Sequence, residues 1–88
     1  MSHQTVAEVL ASADDSVTVI NDINTNGSDS EYVLSNYSQD DINDMVQRNV
    51  DHLEIILAYT DPDVAGSSED KSSYTSAITI GKAYIAAN

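Results

Sequence analysis

The sequence predicts a mainly α protein, a small bundle of three to four helices spanning about 4–13, 14–24, 40–60 and 72–87. Three observations predict it. Apolar residues recur at helical spacing in several separate runs, helix-start signals precede them, and Pro62 and Gly66 mark a polar break between the last two. One competing reading concerns residues 16–36, where a short β-hairpin can be drawn.

The first run places Val6, Val9, Leu10 and Ala13 at i, i+3, i+4 and i+7, one face of a helix over 4–13. Thr5 and Glu8 form a T-x-x-E capping box at its start. Residues 14–37 carry two signals. Val17, Ile20 and Ile23 continue the helical stripe, and Ser12, Asp14 or Asp15 would cap a second helix over 14–24. Against this, SVTVI is β-branched and alternating, and EYVLSNY follows an Asn26-Gly27 dipeptide of the hairpin type. The helical stripe is the preferred reading.

The helix over 40–60 has the clearest pattern. Ser38 to Asp41 is an S-x-x-D start, and acids there complement the helix N-terminus. Ile42, Val46, Val50, Leu53 and Leu57 form the stripe, widened by Met45 and Ile56. Asp44, Gln47, Arg48, Asp51 and Glu54 take the other side, with Asp44 and Arg48 spaced for an ion pair. Pro62 biases Asp61 away from helix and so ends the element. In the last run Tyr74, Ala77, Ile78, Gly81, Tyr84 and Ile85 share one face. A glycine on that face lowers helix propensity by about 1 kcal/mol, which predicts close approach of another backbone.

Charge narrows the function. Fifteen acidic residues against three basic ones give a net charge of −12 at 88 residues. All three basic residues (Arg48, Lys71, Lys82) lie beyond residue 47. Such a chain is repelled by nucleic-acid phosphates and anionic lipid, so neither direct nucleic-acid binding nor a membrane partner is expected. No cysteine is present, which excludes disulfides, thiolate metal sites and a cysteine nucleophile. No apolar stretch reaches the length of a transmembrane helix, and no signal-peptide pattern opens the chain. The expectation is a single small acidic domain over 1–88. Its core is marginal at this size, so that partners or copies would add stability.

Few residues suggest chemistry. In NDINTNGSDSEY, Asp22, Asn24 and Asn26 alternate before Gly27, as oxygen ligands do in calcium loops. Val33 stands where an EF-hand needs its bidentate Glu, so this is not an EF-hand. The ten-residue pattern resembles the shortened loop of excalibur-type extracellular modules, which would close on Glu31. It departs in having Asn at two Asp positions and Ser30 at the expected Cys. Calcium is the one cofactor considered. The preferred reading is a polar turn, which Asn and Gly favour, with the calcium loop as the alternative. His52 borders the apolar stripe, and no cysteine and only one other histidine accompany it, so a buried or interface role is expected rather than a metal site. Tyrosines are the only aromatics. Tyr59, Tyr74 and Tyr84, with an apolar face and a polar tip, are candidate interface residues alongside His52.

VQRNVDHLEIILAY (46–59), a short polar connector and YTSAITIGKAYIAA (74–87) together resemble small virion proteins of tailed bacteriophages, which carry an R-N-x-x-H-L-E-type helix and a terminal Ala/Ile/Gly/Tyr helix. The Asp/Ser/Thr/Asn-rich, cysteine-free composition is similar to that of marine phage structural proteins. The resemblance implies a non-enzymatic structural or accessory subunit located in the virion. Its partners would be other virion proteins or copies of itself. Outside a phage particle, a cytoplasmic or extracellular location stays open. The alternative from charge alone is a free acidic inhibitor, a DNA mimic that occupies the basic groove of a partner.

Overall fold

The computed structural model describes residues 6–58 and 71–88. They form three helices, α1 over Val6–Asn26, α2 over Gln39–Ala58 and α3 over Ser72–Ala87, with a 3-10 turn over Gly27–Asp29 after α1. Each helix packs on the other two. No strand occurs among the described residues, so the hairpin alternative over 16–36 is not formed.

The two helices expected over 4–13 and 14–24 are one. Val9, Ala13, Ser16, Ile20 and Ile23 are all buried, and their spacing keeps a single face inward through the expected break. Asp14 and Asp15 are exposed on the opposite side, where they need no cap role. The β-branched run Val17 to Ile20 accepts helix because burial of one face outweighs its weak propensity. Within it, the Thr18 hydroxyl donates to the Asp14 carbonyl at 3.0 Å.

Asn26-Gly27 ends this helix instead of turning a hairpin. Gly27 has φ +56°, the left-handed conformation that closes many helices at little cost in glycine. The chain is then tied down by Ser30, 3% exposed. Its N–H donates to the Gly27 carbonyl at 3.0 Å, and its hydroxyl accepts the Tyr32 N–H at 3.2 Å.

Helix α2 starts on a reciprocal cap. The Asp41 N–H donates to Ser38 Oγ at 3.2 Å and the Ser38 N–H donates to Asp41 Oδ2 at 2.9 Å. Its stripe is buried as expected at Ile42, Val46, Val50 and Leu53, but Ile56 rather than Leu57 completes it, Leu57 being half-buried. The expected Asp44–Arg48 ion pair is replaced by a bond from Arg48 Nε to the Asp44 backbone carbonyl at 3.4 Å. Exposed pairs of this kind gain little over hydration, so the guanidinium is free to take another acceptor.

Helix α3 has no side-chain cap at Lys71. Tyr74, Ala77, Gly81 and Tyr84 face inward. A Cβ on Gly81 would lie 2.5 Å from Val50 Cγ2, 3.3 Å from Val46 Cγ1 and 3.4 Å from Ile20 Cγ2. The close neighbours are side chains of α1 and α2 rather than the backbone expected from the sequence, and all three helices meet there.

Candidate functional site

The four residues of the expected calcium loop are placed by the end of α1. Asp22, Asn24 and Asn26 belong to its last turns, and Glu31 lies beyond the 3-10 turn. Asp22 and Asn26 are one turn apart, with Asn26 Nδ2 donating to Asp22 Oδ1. Asn24 lies about 200° around the helix from Asp22, so the alternation that would converge in a loop diverges here. The Asp22, Asn24 and Asn26 alternation lies on a helix end, because the buried stripe through Ile23 holds this segment helical, and the preferred turn follows it over Gly27–Asp29. Among the described residues no group of three or more His, Asp or Glu is arranged to hold a metal ion.

Acidic groups nonetheless gather at this end. Partial desolvation raises the Tyr32 phenol above its ordinary value of 10.0, and a hydrogen bond with Glu31 and the charges of Glu31, Asp22 and Asp15 act in the same direction.

His52 is half-buried, and its Nε2 lies 2.5 Å from Ser12 Oγ across the α1–α2 contact. Serine and base at hydrogen-bond distance is one element of nucleophilic catalysis. Here the pair joins the N-terminal half of α1 to the C-terminal half of α2 and satisfies two polar groups within the bundle. Nothing in the sequence marks Ser12 among twelve serines; the pairing appears only when α1 crosses α2.

Tyr74 and Tyr84 are also corrected. Both are turned into the core, at 4% and 9% exposure, rather than toward a partner. The Tyr84 hydroxyl reaches the start of α2 and accepts from Gln39 Nε2 at 3.0 Å, and Gln39 Nε2 also contacts Asn43 Oδ1 at 3.0 Å. A chain without Phe or Trp uses its tyrosines as core aromatics and directs the hydroxyl to a polar edge. Tyr59 lies outside the described residues.

The surface divides by charge. Every described carboxylate lies on α1, α2 or the segment between them, and α3 has none. On α2, Asp40, Asp44, Asp51 and Glu54 fall within an arc of about 80° on the exposed side, over a rise of about 21 Å. On α3 the outward residues are Ser72, Thr75, Ser76, Thr79, Ala83 and Ala86, and Ser72, Thr75, Ser76 and Thr79 line a shallow groove with Ile80. Lys82 sits on the flank toward α2, its Nζ 3.4 Å from Glu54 Oε2.

No protein-family model matches the chain, and no curated protein or solved structure matches it significantly. Among the described residues no helix is long and apolar enough to cross a membrane.

Proposed function

We propose that this protein is a non-enzymatic structural or accessory subunit that works through protein–protein contacts, within a tailed-phage particle as the sequence resemblance suggests. The observation that carries this reading is the acid-free outer face of α3 on a chain of net charge −12. Copies meeting through α1 or α2 would bring like charges together, which opposes association. Meeting through α3 keeps the described carboxylates outward, and small side chains let a second helix come close. Other subunits without strong charge fit the same face. Among the described residues the core is built from aliphatic side chains and two tyrosines, and mass action at high local concentration would add stability to it.

Sedimentation of wild type and Ala83→Glu tests the contact. Wild type should associate in a concentration-dependent way and the charged variant should not. A wild type that stays monomeric at high concentration removes self-contact through α3. Mass spectrometry of purified particles then tests the virion assignment itself.

A second reading has its own support. The exposed carboxylate row on α2 is the kind of regular negative stripe that a DNA mimic presents to a basic groove. Arg48 at the edge of that row weakens it as a phosphate imitation. Co-elution with a basic DNA-binding protein at low salt, lost in Asp44→Asn/Asp51→Asn, would favour the mimic.

A further inference from the structure

The end of α1 carries a chemically reactive bond that neither reading uses. Asn26 is exposed and is followed by Gly27, which has no side chain of its own to hinder attack by its nitrogen. A Cβ built on Gly27 would meet nothing within 4 Å, so no packed group resists movement of the chain there. Such a pair is the arrangement in which an asparagine side chain is lost most readily. Two features oppose the loss. Asn26 sits at φ −110°, ψ −14°, in the helical range, which keeps the Gly27 nitrogen away from the side-chain carbon. Its amide is also engaged, because Nδ2 donates to Asp22 Oδ1.

We propose that Asn26 is a site of spontaneous deamidation in this protein, and that the Asp22–Asn26 hydrogen bond is the latch that sets its rate. The backbone nitrogen of Gly27 loses its proton to solvent and attacks Asn26 Cγ. The new N–Cγ bond closes a succinimide, and the Cγ–Nδ2 bond breaks with release of ammonia. Water then opens the ring at either carbonyl, leaving aspartate or isoaspartate at position 26.

The product is one charge more negative, and the charge falls where the helix tolerates it least. The new carboxylate stands one turn from Asp22, turning a donor–acceptor pair into a like-charge pair. It also lies at the C-terminal, negative end of the α1 dipole. Isoaspartate further lengthens the backbone by one carbon at the step from α1 into the 3-10 turn over Gly27–Asp29. Either product loosens the last turn of α1 and the segment that Ser30 ties down. The reaction therefore acts as a slow, irreversible conversion of this end of the bundle.

Peptide mapping by mass spectrometry, on the full chain held in mildly alkaline buffer, reads the conversion at each asparagine. Asn26 should convert first. Asp22→Ala should raise its rate about fivefold, the factor an ordinary hydrogen bond is worth, with circular dichroism confirming that the bundle stays folded. In urea the wild-type and Asp22→Ala rates should coincide and exceed the wild-type rate in buffer, since both latch and helix are then absent. Conversion spread evenly over the asparagines overturns the site. A folded Asp22→Ala that converts at the wild-type rate overturns the latch. If that variant does not fold, a wild type that converts as fast in buffer as in urea overturns it equally.

Discussion

Helices α2 and α3 solve the same packing problem in different ways. Helix α2 is written locally. It has a reciprocal Ser38–Asp41 cap, an inward stripe of Ile, Val and Leu, and an outward row of acids. Helix α3 gets no cap from the Lys71 side chain and has a glycine near its centre and an outer face of Ser, Thr and Ala. Its place in the bundle comes from Gly81 lying against Val50, Val46 and Ile20. A helix rich in local signals can spend its outer face on charge. A helix held by contact keeps a bland outer face, and on α3 that face carries no carboxylate.

The contrast can be broken most strongly in the α2 core. Leu53→Ala removes a side chain that is 0% exposed and should cost about 3 kcal/mol in urea unfolding, by lost burial and the cavity left behind. Gly81→Ala sharpens the contrast further. On an exposed helix this change would stabilise by about 1 kcal/mol, but here the added methyl meets Val50 Cγ2 at 2.5 Å, and a net loss of about 1–2 kcal/mol is expected from overpacking. Val50→Ala in the same chain should recover part of that loss. Strict additivity in the double-mutant cycle would show that the helices do not meet at this point.

Ser38→Ala tests the local half of the comparison and should cost about 1 kcal/mol, the usual value of an N-cap. Ser12→Ala should cost a similar or smaller amount, about 1 kcal/mol, because it leaves His52 without its partner in the α1–α2 contact. The smallest effect is electrostatic. Glu31→Gln removes the charge beside Tyr32 while keeping an amide oxygen as acceptor, so the phenol should titrate closer to its ordinary value of 10.0 in an NMR titration. Because the folded state raises this group, its contribution to stability is present below that ordinary value and is lost as pH rises through the folded one.

The sequence by itself determined the helical class, the span of α3 and the cap and inward face of α2. These depend on spacing and on neighbours three or four residues apart, which are read directly from order. It also anticipated that Gly81 admits a close neighbour, since a glycine on an apolar stripe has no local benefit. Tertiary structure decided the rest. It joined the two expected helices of 6–26 into one, because burial along a continuous face outweighs β-branching and candidate caps. It made Asn26-Gly27 a helix end rather than the corner of a hairpin. It turned Tyr74 and Tyr84 inward and set Ser12 against His52, a pairing forty residues apart in sequence. What a side chain does at that separation depends on which helix crosses which, and no local pattern records it.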